Sequence, residues 1–120
     1  MSPTDKTRWS GWTMLHRAAE EGQTDICQLL IERGAKINAR TTWGWHTPLH
    51  LALSNGWKET ALLLHEYGCD VNCRNKELKD PMQYGKDKGH KQVTEEFHYL
   101  ILLKEEIRLN ELRLENKAEG

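Results

Sequence analysis

The stretch from Thr13 to Arg40 returns, in altered form, as Thr47 to Arg74. A shift of 34 residues superposes Thr13/Thr47, Leu15/Leu49, His16/His50, Ala18/Ala52, Gly22/Gly56, Leu29/Leu63, Leu30/Leu64, Glu32/Glu66, Gly34/Gly68, Asn38/Asn72 and Arg40/Arg74. These are 11 identities in 28 positions, where average composition would give about two. Asp25/Glu59 and Ile37/Val71 are conservative replacements. A period this short constrains the fold severely. One unit of 34 residues cannot bury its own apolar face, so successive units must stack and share one core.

Local signals within a unit read as helix, turn, helix, finger. Thr47 suits an N-cap and Pro48 suits the first helical turn, where no backbone donor is needed. Leu49, Ala52 and Leu53 line one face of a short helix that ends at Gly56, a residue able to take a left-handed backbone. A second helix runs from about Lys58 to Tyr67, with Leu63 and Leu64 facing inward, and Gly68 stops it. The first unit follows the same plan with Thr13, Leu15, Ala18, Ala19, Gly22, Ile26, Leu29, Leu30 and Gly34. The small alanines let paired helices approach closely.

Thr47-Pro48-Leu49-His50-Leu51-Ala52 resembles the T-P-L-H-x-A signature of ankyrin repeats. Gly68-Cys69-Asp70-Val71-Asn72-Cys73 and Gly34-Ala35-Lys36-Ile37-Asn38-Ala39 are similar to the family's G-A-D-V-N-A ending. The resemblance covers roughly Arg8 to Phe97. It implies an all-α repeat solenoid of helix–turn–helix units with β-hairpin fingers. A worn third unit follows, with Asp80-Pro81-Met82-Gln83 in place of the signature, Gly89 in place of Gly56, and Val93 and Phe97 keeping an apolar stripe. Glu96 falls where a core Leu is expected. Other departures fall at the fingers: Met14 replaces the usual Pro, the finger from Asn38 to Thr47 is one residue longer than that from Asn72 to Asp80, and Leu78 stands where the hairpin Gly belongs. The expected organisation is a tail over 1–7, repeats over 8–98 (8–40, 41–74 and 75–98) and a helical extension over 99–120.

From His90 to about Asn116 the chain has neither Gly nor Pro. A helix there is about 40 Å long, far longer than a repeat helix. Leu100, Leu103, Ile107, Asn110 and Leu114 recur at spacings of three and four, as in a short coiled-coil seam with Asn110 at a register-setting position. Ile101, Leu102, Leu109 and Leu112 widen the apolar face. Two roles are open for this helix: capping the end of the stack, or associating with a partner, including weakly with a second copy.

The formal net charge of −1 gives no long-range attraction for nucleic acid or an anionic membrane. Arg74, Lys76, Lys79, Lys86, Lys88 and Lys91 are basic, but Glu77, Asp80 and Asp87 interrupt them, so a nucleic-acid reading ranks low. The longest apolar run, Tyr99 to Leu103, is too short for a bilayer, and the start lacks the pattern of a secretory signal. The expectation is a protein of the cytoplasm, or of the nucleus by diffusion. Cys27, Cys69 and Cys73 read as small buried residues, since zinc requires four ligands and no second close pair is present. No P-loop, nucleophile elbow or zinc-peptidase motif occurs. The expectation is therefore a non-enzyme with no cofactor, metal or small-molecule substrate.

Function is expected on the fingers and the first helices, which in the ankyrin resemblance form a concave protein-binding face. Carried onto this sequence, that face includes Trp9, Ser10 and Trp12; Trp43, Trp45 and His46; Lys76, Glu77 and Lys79; and Glu20, Glu21, Ser54, Asn55, Asp87 and Lys88 at the ends of first helices. Four of the five tryptophans lie on two adjacent fingers. Trp is the residue type most enriched in binding hot spots, and an exposed cluster is a liability unless something covers it. Trp57 reads as structural packing. By the same resemblance, His16 and His50 tie their helices to the neighbouring finger.

Overall fold

The computed structural model describes residues 11–119, with side chains described as far as residue 115. Among the described residues six helices follow one another: α1 (Met14–Glu21), α2 (Thr24–Glu32), α3 (Pro48–Ser54), α4 (Lys58–Glu66), α5 (Pro81–Asp87) and α6 (Lys91–Glu119). They form two layers. The first helices α1, α3 and α5 pack side by side, as do the second helices α2, α4 and α6, and each first helix lies on its own second helix. The stack is thus three units deep, an all-α solenoid with a long C-terminal helix. None of the described residues forms a strand. The second and third fingers each close on a single backbone bond rather than a ladder: Thr41 N–H to His46 O at 2.9 Å, and Asn75 N–H to Lys79 O at 3.0 Å.

The start of each first helix follows from its cap. Thr13 accepts the His16 N–H, Thr47 accepts the His50 N–H, and Asp80 accepts the Gln83 N–H at 2.8 Å. Pro48 and Pro81 supply a pre-set first turn. In the first two units the histidine three residues after the cap answers, taking the cap's own N–H on Nδ1. The turn after α1 requires glycine for two reasons. Gly22 has φ +71°, and a Cβ there would stand 2.5 Å from the indole of Trp57. That indole lies across the turn and donates Nε1–H to Glu20 O at 2.7 Å, so Trp57 joins the second unit to the first.

Leu15, Leu49, Leu53, Ala61, Leu64 and Phe97 form the centre of the core, all essentially inaccessible. Leu64 and Phe97 occupy equivalent places in the second and third units, so the worn unit keeps its buried anchor. Glu96 is only half-buried and meets Lys58 at 3.1 Å. The equivalent Leu63 is itself half-buried, and Leu29 is exposed on the outer side of the first unit together with Ile26. The second of each leucine pair therefore makes the core, and the first lies at its edge. Gly85 lets α5 approach closely, since a Cβ would fall 2.6 Å from Thr94 Oγ1 on α6.

α6 runs unbroken through position 98/99. Its stack-facing stripe is Thr94, Phe97 and Ile101, followed by Lys104, which reaches Glu66 at 3.0 Å. Leu100 and Leu103 are half-buried beside that stripe, whereas Ile107, Asn110 and Leu114 are exposed. The first part of the helix thus covers the end of the stack, and the spaced apolar series turns progressively toward solvent.

Candidate protein-binding surface

The second and third fingers are built on one plan. Thr41 and Asn75 hold equivalent buried positions at the finger bases. Thr41 Oγ1 takes the His46 N–H at 3.0 Å and donates to Trp43 O at 2.9 Å. Asn75 Oδ1 takes the N–H groups of Glu77 and Lys79 at 2.9 and 3.1 Å. The histidine of the preceding unit then secures the finger. His16 Nε2 lies 2.9 Å from His46 O, and His50 Nε2 lies 2.9 Å from Lys79 O. Because Nδ1 of each histidine accepts from its threonine, Nε2 carries the proton and donates to the finger carbonyl. Lys76 N–H to Gly44 O at 2.9 Å ties the second and third fingers together.

This chain of cap, histidine and finger carbonyl repeats at the same spacing as the sequence. Two family models match it, one described as ankyrin repeats (many copies) over residues 15–59 and one as ankyrin repeat over residues 45–76. The chain belongs to the ankyrin-repeat family. No match was found among curated proteins. Ankyrin repeats generally mediate protein–protein interaction and are typically non-catalytic.

Within this ankyrin stack, the residue two places before each cap is left-handed. Gly11 has φ +70°, but Trp45 and Leu78 stand at the same step with φ +58° and +63°. Left-handed backbone costs a bulky side chain roughly 1–2 kcal/mol. At both positions that side chain projects into solvent, Trp45 at 46% and Leu78 at 74% exposure, and Trp43 beside them is 74% exposed. Leu78 gains little burial that would offset the cost, and Trp45 keeps nearly half of its surface open. Leu78→Gly is therefore expected to raise stability by about 0.5–1 kcal/mol in urea denaturation, since glycine takes this conformation without strain. An unchanged or lower midpoint would contradict it.

The remaining site candidates fall into separate groups. His46 is half-buried and packs on Tyr84 with ring centroids 4.7 Å apart. Burial holds its pKa below the ordinary histidine value, opposed by Glu77 and assisted by Lys88. Lys79 bridges Glu77 at 3.2 Å and Asp87 at 2.7 Å, which engages all three side chains. Lys88 lies over the Tyr84 ring, 5.3 Å from its centroid. Lys76 is exposed and sits over Trp45 at 5.5 Å, with Arg40 over the same ring at 5.8 Å. Trp12 is half-buried with its ring 6.0 Å from His16. Glu20, Glu21 and Asn55 are exposed at the ends of first helices, and Ser54 is half-buried with its hydroxyl on Leu51 O. Trp9 and Ser10 lie outside the described residues.

Arg40, Tyr84 and Leu78 join this surface, although nothing in the sequence marks them as site residues. Tyr84 has no motif to mark it. Arg40 repeats as Arg74, a hint of position only, and Leu78 was visible as a displaced glycine.

The chemistry elsewhere is quiet. Burial pushes the Cys27 thiol up to about 11 and the Cys69 thiol to about 12, so neither is a ready nucleophile. Among the described residues no His, Cys, Asp and Glu group is arranged to hold a metal, and no helix is long and apolar enough to cross a membrane.

Proposed function

We propose that this chain is a non-catalytic protein-binding module that engages its partner through the second and third fingers and the adjoining first helices. The observation that carries this reading is the pairing of exposure with strain at Trp45 and Leu78, next to the exposed Trp43. A left-handed Trp that keeps nearly half of its surface open gains little in the isolated chain beyond its contacts with Arg40 and Lys76, whereas strained residues cluster where a ligand is gripped. Covering one such side chain contributes about 1.5–3 kcal/mol to a complex. His46 and Lys79 act differently from Trp43 and Trp45. They hold the fingers in place and shape the surface rather than anchor the partner.

The test is a paired affinity capture from native lysate, comparing the whole chain with a Trp43→Ala, Trp45→Ala variant. A protein held by the first and lost by the second supports the reading, provided helical circular dichroism is unchanged. Both side chains lie at the surface, so the fold is expected to survive at a cost of about 1 kcal/mol, chiefly the lost cation contacts of Trp45. Equal capture by both baits would move the site away from the fingers.

A second reading is favoured by α6, where Ile107 and Leu114 are exposed on a helix whose capping stripe is already satisfied by Phe97 and Ile101. It is a structural component docked in an assembly, or weakly self-associating, through Leu100, Leu103, Ile107, Asn110 and Leu114. It requires concentration-dependent mass in sedimentation equilibrium for self-association; a monomer at every concentration removes that form of it.

A further inference from the structure

Trp45 is held on a strained backbone with two cations over its ring, Arg40 at 5.8 Å and Lys76 at 5.5 Å from the centroid. Cations over an indole limit the orientations it samples, so less rotamer entropy is lost when a partner covers it. Among the described residues no carboxylate lies within ion-pair distance of Arg40 or Lys76. The nearby acidic groups are engaged elsewhere. Glu77 and Asp87 meet Lys79, and Asp80 caps α5. The result is an indole with two cations over its ring that meet no carboxylate among the described residues.

We propose that the finger surface selects an acidic protein segment, one that lays an apolar side chain on Trp43 and Trp45 and directs carboxylates to Arg40 and Lys76. This rests on the reading of the fingers as the protein-binding site and names the chemistry of what they bind. Arg40 can take a carboxylate on two parallel N–H donors, and Lys76 can take one as a point charge. Partial desolvation by the Trp45 indole strengthens both contacts relative to open water. A nucleic acid fits less well. Its continuous phosphate track would run onto Glu77, Asp80 and Asp87, whereas a peptide places charge only where the cations stand.

Selection from a random peptide library displayed on phage tests this without a named ligand. The whole folded chain is the bait, and binders that also hold the Trp43→Ala, Trp45→Ala variant are discarded. The expected result is Trp-dependent peptides enriched in Asp and Glu next to a large apolar residue. Synthetic copies of these are expected to bind an Arg40→Gln, Lys76→Gln variant about tenfold more weakly. Arg40→Lys, Lys76→Arg should recover most of the loss. Trp-dependent peptides without acidic enrichment, or acidic ones indifferent to the double Gln change, overturn this inference and leave the finger reading standing. No Trp-dependent peptide at all overturns both. Binding of a mixed single-stranded oligonucleotide more tightly than the selected peptides also overturns it, in favour of a polyanion site.

Discussion

Replacing Phe97 by Ala is expected to cost about 3–5 kcal/mol of stability, enough to leave the chain largely unfolded at 37 °C. Phe97 has no accessible surface and lies in the same cluster as Leu49, Leu53, Leu64 and Ile101. It is the anchor through which α6 closes the stack. A repeat array is stabilised chiefly by contacts between neighbours, and three units is about the minimum for a continuous core. Losing the last interface therefore removes a large share of the total. Urea denaturation followed by circular dichroism would give the value. Ile107→Ala and Leu114→Ala are the matched controls. Both side chains are exposed in the same helix, and each change is expected to shift stability by no more than about 0.5 kcal/mol. A Phe97→Ala loss as small as the controls would mean that α6 does not cap the stack.

That contrast also shows which parts of the molecule could be read from its residues. The caps at Thr13, Thr47 and Asp80 and the core at Leu49, Leu64 and Phe97 follow from short-range rules that operate wherever the residues stand. The finger bonds of His16 and His50 were expected from the family resemblance, and the distances carry them. Burial at the edges was less legible. Leu29 and Ile26 fit the apolar period as well as Leu30 does, but they belong to the first unit, where the described residues leave nearly half of each side chain open. The two stripes of α6 overlap in sequence, because a helix with leucines on several sides gives no periodicity that separates capping from association. Least legible were the details that shape the candidate surface. A left-handed Trp45 reads like any other Trp, and Arg40 meets its ring only because the intervening finger turns back. A turn of this kind is set by Thr41, whose hydroxyl satisfies the backbone on both sides of the loop. Thr is a common residue at many kinds of position, so its role there was not marked.

Acid is expected to weaken this fold in a window set by its histidines. His50 is fully buried, with a pKa lowered from 6.5 to about 4. Burial is the main cause. The Lys79 carbonyl and Asp80 favour the charged ring, while His46 and Arg40 disfavour it. The geometry agrees with a neutral ring, since Nδ1 must accept from Thr47 N–H at 3.2 Å. In the unfolded chain the same imidazole protonates near 6.5. Between pH 6.5 and about 4 the unfolded state therefore binds more protons, and stability falls as the pH falls. The contribution is fully present above pH 6.5 and exhausted below about 4. At about 1.4 kcal/mol per unit, His50 accounts for up to about 3 kcal/mol. His46, lowered in the same direction, adds to the slope. The depressed carboxyls of Asp87 and Glu96 act lower, below their ordinary values of 3.8 and 4.5. Urea midpoints measured from pH 7.5 to 4.5 should fall steadily. His50→Gln keeps an N3 residue able to complete the capping box but cannot take up a proton in this range. It should start less stable at pH 7.5 and show a clearly shallower decline. Equal slopes for the two proteins would mean that His50 is not the group whose protonation opposes folding, and that the finger carbonyls are held by a histidine that tolerates charge.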